Sequence, residues 1–455
     1  MNAGPPGRFA LGQEGPLACG SRLPEPRLSM TSATPPSRVL LGRLLATGAV
    51  ACLMLWLWFD PHNRPNFSDF KVYWVAGEKA AAHRTVYDVV GHFQYKYSPF
   101  VALLWGIPHV LPGQRYHWAA LHYAACGLGF VALWFALAYV TDRTRSFALW
   151  LVTLAVFGVG LRDELKLGQA NLWPFLLVLP AWFVGPRPRP RAPAHDQPAR
   201  GVDWQGLLIG ACWGFAIQWK LYALILGPLW LLRRRMAIWV GAAGFTLLTL
   251  GGALAVAHGP SFAWHENLSW LQSLLLSSEE LVVSRFNVST LGILGKWSRH
   301  LGVPDRPWAQ LAWAGLLFAW VVTLFWAERE AQRRDDRFMR FWAASWAWAW
   351  IVVLNPLVWP YWLLFCIPLF LAYVQEATRD RRALLDLAFI AVCGVFSAAN
   401  WLQNTKSVHE GVSWIAALIL FFDAQRRVRG RMRPATDVDE ADEVSLPIPL
   451  TQRPS

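Results

Sequence analysis

Residues 60–99 read DPHNRPNFSDFKVYWVAGEKAAAHRTVYDVVGHFQYKYSP and lie between the apolar segments Val39–Phe59 and Pro99–Leu111. The stretch gathers Asp60, Asp69, Glu78 and Asp88 with Arg64, Lys71, Lys79, Arg84 and Lys96, interleaved with aromatic residues. Hydrocarbon cannot hold so many charges, so this is a connection between apolar segments rather than part of one. Charge clusters of this kind are usually solvated faces. Its two ends argue for more. Asp69, in Phe67-Ser68-Asp69-Phe70, follows closely on the first apolar segment, and Tyr95-Lys96-Tyr97-Ser98-Pro99 directly precedes the second. Both charged ends therefore belong at a membrane surface.

The composition agrees. A chain of 455 residues that is 55% hydrophobic and only 16% charged, with 29 Trp, is far from the average soluble domain and reads as an all-α polytopic membrane protein. The net charge of +13 does not imply nucleic acid, because the basic residues fall in short clusters between apolar runs. The six cysteines show no C-x-x-C pair and no histidine at zinc spacing, so they imply neither disulfide nor metal. No Walker, Rossmann or H-E-x-x-H motif occurs, and no cofactor is expected.

Arginine sets the expected topology. Arg143/Arg145, Arg187/Arg189/Arg191, Arg233-Arg234-Arg235, Arg333/Arg334/Arg337, Arg379/Arg381/Arg382 and Arg426/Arg427/Arg429 all belong in the cytoplasm by the positive-inside rule. About twelve crossings follow, with the Pro-bounded run Pro99–Leu111 re-entrant or interfacial. Residues 1–38 read as a disordered cytoplasmic tail, 39–422 as the transmembrane body, and 423–455 as a second cytoplasmic tail. Residues 60–98 and 258–306 then face outward, as does every lysine from Lys71 to Lys406. A single helix through Gly206–Leu232 would export Arg233-Arg234-Arg235, so this segment is expected to break at Gln218-Trp219-Lys220. Lys220 would lie at membrane level, where an ionisable residue is a functional candidate; a lysine snorkelling from a short helix end is the plainer reading.

Outside the cytoplasm there is no nucleotide supply, so an activated sugar there would ride on a lipid phosphate. Transfer from such a donor needs a base for the acceptor hydroxyl and cations for the departing phosphate. Asp69 suits the first role; Lys220, with Lys96 and Arg285, suits the second. Asp163 and Glu164, in an expected outer turn Arg162–Lys166, could bind acceptor or form a solvated ion-pair cluster. Gln169 and Asn171 could bind substrate or cap the next helix. His265 and Glu266 fall in a Trp- and Leu-rich segment that reads as an interfacial anchor.

The order of Phe67-Ser68-Asp69-Phe70, Tyr87, Tyr95-Lys96-Tyr97-Ser98-Pro99, Gly168-Gln169-Ala170-Asn171, Lys220-Leu221-Tyr222, Asn287-Val288-Ser289 and Asn355-Pro356 to Trp359 resembles glycosyltransferase family 87. The resemblance runs from about Val39 to Phe422. It implies a GT-C-type fold with a catalytic first outer loop, and an inverting, metal-independent transfer of mannose or a similar sugar from a polyprenyl phosphate. The acceptor would be a lipid or glycan. Asp69 takes the role of base, and Tyr97, Gln169, Asn171, Asn287, Trp359 and Tyr361 become substrate contacts. Two positions depart from the pattern: Pro360-Tyr361 follows Trp359 where the family often has histidine, and Lys220-Leu221 replaces Lys-Pro.

A lipid or solute transporter is the main rival, with Asp69, Lys220 and Arg285 lining a path. The chemistry-capable residues gather on one side and no internal repeat is evident, which favours the enzyme. An assembly subunit of an envelope complex is a third reading. The enzyme is expected in the plasma membrane, with both termini cytoplasmic and the active site outside. Single cysteines introduced in residues 186–200 and 91–96 are expected to label from opposite sides with an impermeant thiol reagent; labelling from one side overturns the topology.

Overall fold

The computed structural model describes residues 36–60, 65–88, 95–140, 147–186, 202–276, 289–302, 307–334, 336–355 and 360–377. Every regular element among them is helical. In chain order these are α1 (Pro36–Phe59), α2 (Ser68–Ala81), α3 (Pro99–Val110), α4 (Arg115–Val140), α5 (Phe147–Leu167), α6 (Leu172–Val178), α7 (Trp204–Trp219) and α8 (Gly227–Leu232). There follow α9 (Met236–Thr246), α10 (Leu254–His258), α11 (Pro260–Leu276), α12 (Thr290–Leu301), α13 (Pro307–Arg334), α14 (Arg337–Ala349), α15 (Ile351–Leu354) and α16 (Ile367–Ala377).

Three helices are long and apolar enough to cross a membrane: Arg115–Tyr139, Met236–His258 and Gln310–Arg333. Leu208, Val240, Leu247, Val256 and Phe318 are apolar yet exposed, as side chains solvated by lipid would be. Thr47–Phe59, Pro99–Val110, Leu172–Trp182, Leu221–Leu232 and Leu364–Val374 are apolar but shorter than the ~20 residues a straight span needs. Three candidate spans are thus what the described residues hold of the twelve crossings expected.

The charged connection is not an open loop. Its centre is α2, because the small residues Ala76, Gly77 and Ala80 leave one side of that helix flat enough to lie against α3. A Cβ on Gly77 would stand 2.1 Å from the Trp105 carbonyl oxygen of α3, so the two backbones meet where only glycine fits. The segment after α7 does break at the expected place. Helix geometry ends at Trp219, Lys220 is extended, and a 3-10 turn Leu221–Leu226 folds back so that Trp213 Nε1 donates to the Ala223 carbonyl at 2.8 Å. In one continuous helix those groups would be about 15 Å apart.

One sequence expectation needs correction. Arg162–Lys166 is not a solvated turn but the last part of α5; Arg162, Asp163 and Glu164 are all buried. The helix extends because Glu164 finds its partners in the next helix. Arg233, which the positive-inside rule assigned to a cytoplasmic cluster, also has a packing role. It is buried against Glu328 of α13 at 3.2 Å and donates to the carbonyls of Ala181, Val184 and Arg340. Its guanidinium ties α8 to α13 and α14, a structural task that the positive-inside reading did not assign.

Gly77→Ala is expected to force α2 off α3. Overpacking of this kind typically costs ~1–3 kcal/mol, and the clash here is with rigid backbone. A lowered melting temperature of the purified protein in detergent checks it.

Candidate functional site

The site is assembled where α2, the segment before α3, and the ends of α5 and α7 meet. Phe67 enters α2 in the left-handed conformation (φ 50°, ψ 35°), and the N–H groups of Asn66 and Phe67 donate to the Lys166 carbonyl at 3.0 and 3.1 Å. That pins the start of α2 to the end of α5. Gly168, at φ +68°, turns the chain there, and a Cβ on it would press on Phe70. Asp69 is therefore held in the first turn of α2, beside the helix's free N–H groups, which favour an anion. It is half-buried, and the Ser68 hydroxyl donates to Oδ1 at 3.4 Å.

One helical turn on, Tyr73 lies on the same face of α2 and is fully buried. Its hydroxyl meets that of Tyr97 at 2.9 Å, and Lys220 Nζ donates to the Tyr97 oxygen at 2.9 Å. The Lys220 ammonium also lies 4.5 Å from the Tyr97 ring centroid and 6.0 Å from that of Trp362. Lys96 is close enough to feel it: burial first, then the charge of Lys220, brings the Lys96 ammonium down to about 8. Two ammonium groups held together in partial burial form a site an anion would relieve.

Glu164 has both oxygens engaged. Oε1 accepts the backbone N–H groups of Asn171 (2.6 Å) and Leu172 (3.3 Å), and Oε2 accepts Asn171 Nδ2 (2.8 Å). Asn171 Oδ1 in turn accepts the Tyr222 hydroxyl at 3.2 Å. Glu164 thus caps α6 and holds the turn that follows Lys220. Asp163 turns to Arg162 instead, at 3.1 Å. Gln169 uses its backbone: its carbonyl accepts His122 Nε2 at 3.0 Å, while its side-chain Oε1 is buried without a hydrogen-bond partner among the described residues. Arg285, Asn287 and Trp359 lie outside the described residues, and Tyr361 is described only as backbone of the 3-10 segment Pro360–Cys366.

Of the residues singled out in the sequence, Asp69, Lys96, Tyr97, Glu164, Asn171 and Lys220 come together. The sequence reading missed Tyr73 and Trp362, and quoted Tyr222 only within Lys220-Leu221-Tyr222, without a role. Tyr73 had a signal, its place four residues after Asp69. Glu266 was also misread: it is no plain anchor, being buried with Oε2 accepting the Val86 N–H at 3.1 Å.

The profile of glycosyltransferase family 87 matches residues 95–356, more than half of the chain. The chain belongs to glycosyltransferase family 87. No curated protein and no solved structure matches it. The family 87 match takes in Lys96, Tyr97, Glu164, Asn171 and Lys220, whereas Asp69 lies before its start. The position of Asp69 in this family 87 chain therefore rests on the contacts of α2 just described.

The Lys96 ammonium sets a pH expectation. Its pKa of about 8 is below the usual lysine value, so the charge is present below that pH and lost as pH rises through it. Binding of an anion such as inorganic phosphate to the purified protein should weaken above pH about 8, and Lys96→Arg, which stays charged, should hold its affinity to higher pH. Titrations of the ligand across the alkaline range check both.

Proposed function

We propose that this family 87 protein transfers a sugar, mannose being the first candidate, from a polyprenyl-phosphate donor to a hydroxyl of a lipid or glycan acceptor on the extracytoplasmic side, with inversion. The observation that carries the reading is the Lys220 ammonium on the Tyr97 hydroxyl, within electrostatic reach of Lys96, with Tyr73 connecting Tyr97 to the α2 face that bears Asp69.

The chemistry follows from those groups. Asp69 accepts the proton of the acceptor hydroxyl as its oxygen attacks the anomeric carbon. The bond from that carbon to the phosphate oxygen breaks, and its electron pair leaves with the polyprenyl phosphate. Lys220 and Lys96 stabilise the charge that gathers on the departing phosphate, in a half-buried site where such interactions are stronger than in water. A phosphate leaves as a stable anion and needs no general acid, so one base is sufficient. Asp163, paired with Arg162, has no part in this scheme. Glu164 and Asn171 act through the turn that carries Lys220.

Asp69→Asn is expected to keep the fold and donor binding while lowering transfer by ~10²–10⁴-fold, the usual worth of a general base. Lys220→Gln is expected to depress turnover more than donor affinity, because its contact strengthens as the phosphate departs. Both are read with purified protein in lipid and a panel of labelled polyprenyl-phosphate sugars. Parental turnover in Asp69→Asn removes Asp69 as base. Movement of labelled lipid across vesicles with no covalent product in any variant returns the reading to a transporter.

A further inference from the structure

Beside the catalytic face of α2 lies a cavity of about 210 Å³ that the scheme above does not use. Its walls are Val72, Val75, Val86 and the ring of Tyr95, with Ser68 and Lys71 among its polar lining. Lys79 also reaches it, but its ammonium is paired with Asp88. Lys71 is exposed, and its ammonium has no ion-pair partner among the described residues.

The cavity's relation to Asp69 is set by helix geometry. Asp69, Tyr73 and Ala80 form one stripe of α2, the one that meets Tyr97 and so Lys220. Ser68, Lys71, Val72, Val75 and Lys79 form a second stripe roughly 100° around the helix. The two stripes join at the first turn, where the Ser68 hydroxyl that lines the cavity donates to Asp69 Oδ1 at 3.4 Å.

An inverting displacement needs such an arrangement. The nucleophile approaches the anomeric carbon from the face opposite the leaving phosphate. With the phosphate at Lys220 and Lys96, on one side of α2's catalytic stripe, the acceptor has to come from the other. We propose that this cavity is the acceptor subsite and takes a single sugar ring. The proposal rests on the glycosyl-transfer reading given above.

The lining suits that class of ligand. The C–H faces of a sugar ring pack on valine methyls and the Tyr95 ring, and its hydroxyls reach the Lys71 ammonium and the Ser68 hydroxyl. The volume of about 210 Å³ has room for one sugar ring. The acceptor hydroxyl beside Ser68 is then next to Asp69. Its proton passes to the carboxylate, its oxygen bonds to the anomeric carbon, and the polyprenyl phosphate departs with the electron pair.

Two variants test the subsite, Val75→Trp, which fills it, and Lys71→Gln, which removes its free cation at little risk to the fold. Purified protein in vesicles is given labelled polyprenyl-phosphate mannose and total membrane lipid. Labelled lipid product measures transfer; free labelled sugar measures hydrolysis, for which water needs no subsite. Each variant is expected to lower the ratio of transfer to hydrolysis about tenfold, and Lys71→Gln to raise the half-saturating lipid concentration without changing that of the donor. A parental ratio in Lys71→Gln, or a rise in donor half-saturation instead, overturns the subsite while leaving the glycosyl-transfer reading intact. A parent that neither transfers nor hydrolyses any labelled donor of the panel overturns that reading and the subsite with it.

Discussion

Three buried polar side chains, Ser98, Gln218 and Thr249, are hydrogen-bonded in a chain, and the site depends on the joint they make. The Ser98 N–H donates to the Gln218 carbonyl at 3.0 Å, and its hydroxyl reaches Gln218 Oε1 at 3.4 Å. Gln218 Nε2 donates to Thr249 Oγ1 at 2.7 Å, and that hydroxyl donates to the Phe245 carbonyl. Thr249 stands in a π-helical turn, Leu247–Ala253, between α9 and α10. A buried polar group without a partner costs ~1–3 kcal/mol, so the joint strongly favours one arrangement. That arrangement puts Tyr97, next to Ser98, against Lys220, two residues beyond Gln218. Ser98 also caps α3, its hydroxyl accepting the Val101 N–H, so the same residue starts a helix and registers the site.

Buried charge obeys the same rule with larger stakes. Removing one partner of a buried ion pair typically costs ~3–5 kcal/mol, which makes Arg233 and Glu328 a lock between α8 and α13. Glu164 is buried among neutral donors instead, and its carboxylate takes the N-terminus of α6 and the Asn171 amide. Such a group holds backbone in place; it is not free to collect a substrate. This separates Glu164 from Asp69, which is half-buried at the mouth of a helix and faces the Tyr73 side of the cluster.

Helices α10 and α11 clasp the outer face of this cluster at three points. His258 Nδ1 meets His83 Nδ1 at 2.6 Å, just past the end of α2. Glu266 takes the Val86 N–H, and Trp270 Nε1 donates to the Lys96 carbonyl at 3.2 Å. The segment that carries Lys96 is thereby fixed from one side by α11 and from the other by Gln218. Lys220 is held through its side chain as well, its ammonium donating to the Tyr97 hydroxyl, so the two cations stay within electrostatic reach although they repel each other.

Some of this was legible without a structure. Hydropathy and the rarity of charge in apolar sequence are local properties, so the sequence alone marked a helical membrane chain, the charged connection at residues 60–99, and Asp69, Lys96 and Lys220 as uncommon groups, while Tyr97 entered through the family resemblance. Charge asymmetry also located the break at Lys220. What only the tertiary structure decided is the partner of each buried polar group: Glu164 with Asn171, Ser98 with Gln218, Glu266 with Val86, Tyr73 with Tyr97. Those pairs join residues far apart in the chain, and no local pattern distinguishes a carboxylate that will cap a distant helix from one that will sit in a solvated turn. The choice is made by which donors packing brings within reach once water is gone.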